Sequence, residues 1–147
     1  MGSVGIVDLT RSGSAPTYTD VGPMAYHPLN LALRFLLELA ALAAMASHGW
    51  QLTDNRPLRI LAAVAVPLVA ASLWGVFAVP EDPSRSGAAP IPVPGVIRLP
   101  LELAFFGFAG WSLYASGAQT LGLILGAAVL VHYALSYDRI KWLLGHK

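Results

Sequence analysis

The stretch LNLALRFLLELAALAAMASHGWQ, which runs from Leu29 to Gln51, decides the fold class. As a helix rising 1.5 Å per residue, it is long enough to cross a hydrocarbon layer of ~30 Å. Three further apolar stretches follow, at about 57–79, 95–116 and 118–137. None alternates as a barrel strand does, and only helices and closed barrels satisfy their backbone groups in lipid. We therefore predict an all-α membrane protein, with a four-transmembrane-helix bundle spanning residues 28–137.

The composition supports residence in a lipid bilayer. Hydrophobic residues make up 56% of the chain and charged residues 12%, with a mean hydropathy of +0.62. Soluble domains carry about 25% charged residues. A net charge of +1, without a run of Lys or Arg, argues against nucleic acid as a partner. Cysteine is absent and the histidines lack metal-ligand spacing, so we expect neither a metal nor another cofactor.

The segments outside the apolar stretches predict the ends and the orientation. Residues 1–27 are polar and indicate a flexible N-terminal tail, while 138–147 indicate a short basic C-terminal tail. With four spans, both tails and the proline-rich loop 80–94 lie on one side of the membrane. The positive-inside rule predicts an inner (plasma) membrane protein with both termini in the cytoplasm. The cationic residues on that side are Arg11, Arg85, Arg139, Lys141 and Lys147, against Arg56 and Arg59 on the other.

An internal repeat relates the two halves of the chain at a spacing of 64 residues. Arg34-Phe-Leu-Leu-Glu38-Leu-Ala40 aligns with Arg98-Leu-Pro-Leu-Glu102-Leu-Ala104, and only the second and third positions differ. Because charged residues are scarce in this chain, the Arg and Glu matches carry the argument. We predict two repeated helical hairpins, related by a pseudo-twofold axis along the membrane normal.

Four motifs carry a resemblance to a known family. They are Asn30-Leu-Ala-Leu-Arg34-Phe-Leu-Leu-Glu38-Leu, His48-Gly49-Trp50, Trp74-Gly75-Val-Phe-Ala-Val-Pro80 and Leu101-Glu102. With these motifs, residues 28 to about 137 resemble the YrdB family of small bacterial membrane proteins, catalogued as a domain of unknown function, DUF2568. The resemblance implies a four-span bacterial membrane protein, and it implies no activity.

The repeated Arg and Glu residues are the main candidates for chemistry. Glu38 is expected roughly 14 Å into its helix, close to the midplane, where a charge costs about 2.5–3.5 kcal/mol. Arg34 and Arg98 each precede a glutamate by four positions and share its helix face. The pairs are either ion pairs that fix helix register, or a site in which one carboxylate exchanges protons beside a cavity. Pro100 leaves the depth of Glu102 open, because it either begins the third helix or kinks it.

His132 is predicted at the depth of these pairs, where it is either a proton relay or a hydrogen-bonded interior side chain. Ser72, Trp74 and Tyr133 are predicted to line the same layer. The candidate catalytic residues are Glu38, Glu102 and His132, and the candidate substrate-binding residues are Arg34, Arg98, Trp74, Tyr133 and Ser72.

Three classes of function fit this pattern. In the first and most specific class, the protein is an intramembrane acid/base enzyme of the isomerase or cyclase type. Its substrate would be a lipophilic, isoprenoid- or sterol-like molecule, with Glu38 and Glu102 as proton donor and acceptor. In the second, the protein is a structural or accessory subunit and the Arg–Glu pairs hold helices together. In the third, a homo-oligomer transports protons or a small solute. The bilayer is the expected partner in all three.

Overall fold

The computed structural model of the protein describes residues 27–82 and 89–145. The N-terminal tail before His27, and the orientation residues Arg11, Arg85 and Lys147, lie outside these ranges. The described elements are helices α1 (Pro28–Gln51), α2 (Arg56–Val76), α3 (Gly95–Ala115), α4 (Gln119–Leu135) and α5 (Tyr137–Gly145), with two-residue strands β1 (Phe77–Ala78) and β2 (Ile91–Pro92).

Helix α1 begins where local chemistry favours a helix start. The His27 Nδ1 atom accepts a hydrogen bond from the backbone N–H of Leu29 at 3.3 Å, and Pro28 occupies the first turn. Its buried residues recur every three or four positions and so form one face. That face consists of Asn30, Arg34, Leu37, Ala41, Ala44, Met45 and Gly49.

This buried face makes α1 the central helix, in contact with α2, α3 and α4. Gly49 permits the approach of α2, because a Cβ atom there would lie 2.5 Å from the carbonyl oxygen of Ala62. Below the charged residues the core is apolar. It includes Leu37, Ala41, Ala44, Met45, Phe105, Phe106, Ala109, Leu125 and Val129.

Helix α2 is apolar, yet none of its residues is buried. It packs mainly on α1 and touches α3 at few points. Large side chains such as Leu61, Leu68 and Val69 are each at least 60% exposed. Contact with lipid tails would be favourable for such an apolar surface, whereas exposure to water would be unfavourable.

Within residues 27–82 and 89–145, three helices are long and apolar enough to cross a membrane: α1, α2 and α3. Helices α4 and α5 pass the same test only as a pair, bent by 70° at Ser136. The chain is thus mostly helical, with three or four candidate spans, which agrees with the predicted class of helical membrane protein.

The end of α2 differs from the prediction. The helix was expected to continue to Val79, but it ends at Val76, and β1 then pairs in parallel with β2. Arg98 supplies the physical reason, because its Nη1 group donates to the carbonyl oxygens of Trp74, at 2.7 Å, and Phe77. These bonds satisfy carbonyl groups that the end of a helix leaves without partners.

The C-terminal segment also differs from the prediction, since most of the expected basic tail is helix α5. Its buried side chains, Arg139, Trp142 and Leu143, face the rest of the protein. Helix α5 lies directly over the first turn of α3. At Gly95 a Cβ atom would be 1.8 Å from the carbonyl oxygen of Leu143, so only glycine allows this contact.

Pro100 lies within α3, which begins five residues earlier, at Gly95. Proline has no N–H, so it cannot bond to the carbonyl of Val96 as a helical residue would. Glu102 therefore lies about 10 Å along α3, whereas Glu38 lies about 15 Å along α1. The two glutamates of the repeat therefore lie at different distances from the start of their helices.

Candidate functional site

Six charged side chains meet at the end of the molecule where α1 and α3 begin. They form an unbroken chain of ion pairs, which we call the charged cluster. Five of them are buried, and only Glu38 is partly exposed, with 25% of its side chain accessible. Three are cationic and three anionic, so the cluster is neutral when all six are ionised. Its members are Arg34, Glu38, Asp82, Arg98, Glu102 and Arg139.

Glu102 is the centre of the charged cluster and is 1% exposed. Its Oε1 atom accepts from Arg139 at 2.7 Å, Arg98 at 3.1 Å and Arg34 at 3.2 Å. Its Oε2 atom accepts from Arg139 at 2.8 Å and from the hydroxyl of Tyr133 at 3.1 Å. A carboxylate offers about four lone-pair positions. Glu102 is therefore fully occupied by protein donors.

Arg139 holds Glu102 with two parallel hydrogen bonds, the geometry that a planar guanidinium makes best. The Nη2 group of Arg139 also donates to the Oδ2 atom of Asp82 at 2.8 Å. Asp82 follows the turn at Pro80 and Glu81, and it is 5% exposed. Through Arg139, α5 and this turn are both fastened to α3.

The two Arg–Glu pairs of the repeat use the same atoms. Arg34 Nε lies 3.0 Å from Glu38 Oε1, and Arg98 Nε lies 3.1 Å from Glu102 Oε1. Arg34 also reaches Glu102 at 3.2 Å, so an ion pair joins the two halves. Among the described residues, Arg34 is the one hydrogen-bond partner of Glu38.

Trp74 lies against the charged cluster and also against the apolar core. The guanidinium carbon of Arg98 lies 4.1 Å from the ring centroid of Trp74, and that of Arg34 lies 5.4 Å away. These are cation–π distances. The Trp74 ring also packs against Phe105, with centroids 4.8 Å apart. Trp74 is thus at the predicted layer.

His132 belongs to a separate polar group rather than to the charged cluster. Its Nδ1 atom lies 3.0 Å from the Oδ1 atom of Asn30, whose Nδ2 group donates to Ser136 at 2.8 Å. All three side chains are buried. No described carboxylate is a hydrogen-bond partner of His132. The geometry corresponds to the hydrogen-bonded interior histidine, and not to a relay in contact with a glutamate.

Ser72 does not lie in the predicted layer. It is exposed on α2, and its hydroxyl donates to the carbonyl of Leu68 at 2.7 Å. A serine in a helix commonly bonds to the preceding turn in this way. The structure thus brings together Arg34, Arg98, Glu102, Trp74 and Tyr133 from the predicted set, keeps Glu38 at the margin, and leaves out His132 and Ser72.

An apolar cavity of about 210 Å³ lies between α1, α2 and α3. Trp74 forms part of its wall, which connects the cavity with the charged cluster. Two further aromatic side chains and five aliphatic ones complete the lining. The lining residues are Met45, Ala70, Leu73, Trp74, Leu101, Ala104, Phe105 and Phe108.

Four residues of the polar groups were missed from the sequence: Asn30, Asp82, Ser136 and Arg139. Two of them carried a signal. Asn30 precedes Arg34 by four positions and so shares its helix face, and Ser136 follows His132 by four positions. Asp82 and Arg139 lie outside the apolar stretches, where charged residues are ordinary. In the described ranges, no three His, Asp or Glu side chains are placed to hold a metal ion.

Comparison with known proteins identifies the family. The family model described as "Protein of unknown function (DUF2568)" matches residues 32–130. The chain belongs to the DUF2568 family. The matched range includes both Arg–Glu pairs, Trp74 and Asp82, and it ends before Tyr133 and Arg139. The resemblance inferred from the sequence motifs is therefore confirmed.

A relative in this family is also uncharacterised. The "Uncharacterized protein YrdB" of Bacillus subtilis (strain 168) is 41% identical over 115 residues, which cover 78% of this chain and 93% of that protein. No solved structure matches the chain significantly. Membership of DUF2568 therefore assigns no activity to the chain.

Proposed function

We propose that this DUF2568 protein is a four-span inner-membrane protein with a structural or accessory, non-catalytic role. In this role the charged cluster joins the helices. The observation that carries the proposal is the occupancy of Glu102, which accepts five hydrogen bonds from Arg34, Arg98, Tyr133 and Arg139. A general acid or base must reach its substrate at hydrogen-bond distance. Glu102 has no position left for a substrate.

The charges of the cluster also support a structural role. A buried ion is tolerated when it is paired, and removal of one partner typically costs about 3–5 kcal/mol. Here each buried carboxylate faces at least one guanidinium, and the six charges sum to zero. The ions can therefore remain in a low-dielectric interior while they hold α1, α3 and α5 in register.

In the membrane, we assign α1, α2, α3 and α4 as spans and α5 as a helix at the cytoplasmic surface. The 17 residues of α4 are at the short end of the range for a span. The turns after Gln51 and Ala115 then face outward, and both termini lie in the cytoplasm. The matching atoms of the two Arg–Glu pairs support the two-hairpin repeat and its pseudo-twofold axis.

An enzyme is the second candidate, and the partial exposure of Glu38 favours it. With Glu102 occupied, Glu38 would be the single acid/base group for an isomerase or cyclase acting on a lipophilic substrate. Isomerisation by one carboxylate requires the same group to take a proton from one position and return it to another. The apolar cavity beside Trp74 offers room for the apolar part of such a substrate.

The transport alternative has less support. Among the described residues, the buried polar side chains lie at the cluster end, apart from Ser112, whose hydroxyl bonds to the carbonyl of Phe108. The layer between the charged cluster and Ser112 is apolar, and it is formed by residues such as Ala41, Met45 and Phe106. A polar path across the bilayer would have to run between subunits of a homo-oligomer.

A double-mutant cycle on Glu102 and Arg139 tests the structural role. Glu102→Gln leaves an excess cation and Arg139→Gln an excess anion, so each variant should lose about 3–5 kcal/mol of unfolding free energy. The double variant restores neutrality and should lose less than the sum, with a coupling of about 1–3 kcal/mol. Reversible unfolding in mixed micelles measures these values.

Glu38→Gln is the matched control, because it removes a carboxylate from the same cluster at its exposed margin. We expect it to cost about 1 kcal/mol, less than Glu102→Gln, because Arg34 keeps its bond to Glu102. If Glu102→Gln proves as stable as the unmodified protein, the charged cluster is not what holds the helices together.

A further inference from the structure

Within the described part of the chain, only one oxygen of the Glu38 carboxylate has a hydrogen-bond donor. Its Oε1 atom accepts from Arg34 Nε at 3.0 Å, and no described residue donates to its Oε2 atom. A quarter of the side chain is accessible. In a helix that crosses a bilayer, an acceptor without a donor is costly and usually marks a functional position.

The repeat explains why Glu38 keeps an open oxygen. On the second carboxylate, Glu102, the additional donors are Tyr133 and Arg139. The positions 64 residues earlier are Val69 and Gly75, which have no side-chain donor. The first half of the chain therefore retains the Arg–Glu pair but lacks the groups that close it.

An apolar space lies on the side of α1 to which Glu38 points. Met45, which lies two turns after Glu38 on the same face, lines the cavity of about 210 Å³. Arg34, the partner of Glu38, stands over Trp74, which also lines the cavity. An adjoining groove of about 370 Å³ shares Ala70, Leu73 and Phe108 with the cavity and runs along α2. Together they have the dimensions of a small-ligand site.

The charge balance selects the chemical class of the occupant. Since the six described charges of the cluster sum to zero, a cationic or anionic ligand would add a charge that none of them compensates in a low-dielectric interior. The open Oε2 atom accepts hydrogen bonds and donates none. The ligand must therefore be neutral, carry a hydrogen-bond donor and have an apolar body.

We propose that the cavity between α1, α2 and α3 binds a neutral lipophile with a terminal hydroxyl group. The hydroxyl donates to Glu38 Oε2, and the apolar chain follows the cavity past Trp74 into the groove at Leu73 and Phe108. Binding of this kind requires no catalysis, and it does not depend on the structural role of Glu102.

Photolabelling of the full chain in lipid nanodiscs tests the proposal. The probe is dodecan-1-ol carrying a diazirine in its chain, and mass spectrometry locates the labelled residues. We expect labels at Leu73 and Phe108. The corresponding methyl ether, which cannot donate, should label these positions about fivefold less, the effect of one hydrogen bond of about 1 kcal/mol. Exposed Ile124 and Val131 on α4, which line neither the cavity nor the groove, serve as lipid-facing references and should label equally with both probes.

Two variants at position 38 test the same hydrogen bond by changing its acceptor and not its donor. Glu38→Leu removes the acceptor and should lower labelling by the alcohol to the level of the ether. Glu38→Gln keeps an acceptor oxygen and should retain most of the labelling. Size-exclusion profiles and circular dichroism report whether each variant folds. If Glu38→Leu does not fold, the comparison of alcohol and ether on the unmodified chain still tests whether the hydroxyl group contributes to binding.

Two results would overturn the proposal. Equal labelling of Leu73 and Phe108 by alcohol and ether would mean that the groove is an ordinary lipid-facing surface. Stronger labelling by the corresponding protonated amine than by the alcohol would mean that the site prefers cations, and that the neutral class is wrong. Neither result bears on the stability cycle of Glu102 and Arg139, so the two proposals fail separately.

Discussion

Arg139 connects parts of the chain that are far apart in sequence. Its guanidinium contacts Glu102 in α3 and Asp82 in the turn after β1, with three hydrogen bonds of 2.7–2.8 Å. A guanidinium can do this because its donors lie in one plane with a fixed spacing, whereas an ammonium is a single point donor.

At this residue, the geometry should matter as much as the charge. Arg139→Lys keeps the charge but cannot make the paired bonds to Glu102, so we expect it to lose about 2 kcal/mol of unfolding free energy. Reversible unfolding in mixed micelles measures the loss. Lys141→Arg, a change at an exposed neighbour on α5, is the control and should have no effect. A stable Arg139→Lys would show that charge alone suffices.

In the part of the chain that the structure describes, Tyr133 provides the one uncharged donor to Glu102, at 3.1 Å. Tyr133→Phe removes that hydroxyl and leaves the ring in place, so we expect a loss of about 1.5–3 kcal/mol, typical of a hydrogen bond to a charged group. Tyr137→Phe is the control, because Tyr137 is 59% exposed. The same unfolding measurement compares them, and equal stabilities would contradict the role given to the Tyr133 hydroxyl.

At the scale of elements, the contact between α5 and α3 depends on Gly95. Gly95→Ala would place a methyl group 1.8 Å from the carbonyl oxygen of Leu143, so α5 must move away. We expect trypsin to cleave after Arg139 much faster in this variant, because cleavage there requires local opening. Gly107→Ala is the control, since nothing lies within 4 Å of its new methyl group. Unchanged cleavage in Gly95→Ala would mean that α5 tolerates the displacement.

The elements that the sequence predicted well are those set by local pattern. The apolar stretch from Leu29 fixes α1, and the four-residue spacing of Arg34 and Glu38 fixes their pairing. The end of α2 was not predictable in the same way, because it depends on Arg98, a side chain in the next helix. The charged cluster was predicted only in part, and the members that the sequence indicated are Arg34, Glu38, Arg98 and Glu102. Arg139 and Asp82 join it through contacts between distant segments, and no local pattern marks them.

At the scale of the whole molecule, the proposed four-span arrangement makes a prediction about accessibility. The chain contains no cysteine, so single cysteines can be introduced without a background. We expect Asp54→Cys and Gln119→Cys to react with a membrane-impermeant maleimide applied to the outside of intact cells. Lys141→Cys should react only after the cells are permeabilised. Labelling of Lys141→Cys in intact cells, or protection of Gln119→Cys, would contradict two hairpins with cytoplasmic termini.

The paired hydrogen bonds from Arg139 to Glu102 also imply an order of folding events during protein synthesis. Helix α3 leaves the ribosome well before α5, and until then Glu102 lacks the cation that binds both of its oxygens. In the proposed four-span arrangement, α3 must therefore enter the translocon with Glu102 compensated by Arg98 and Arg34 alone. The bundle can lock only after Arg139 has been made. A chain truncated before Arg139 should be recognised by quality-control proteases as unfinished, although α1, α2, α3 and α4 are all present.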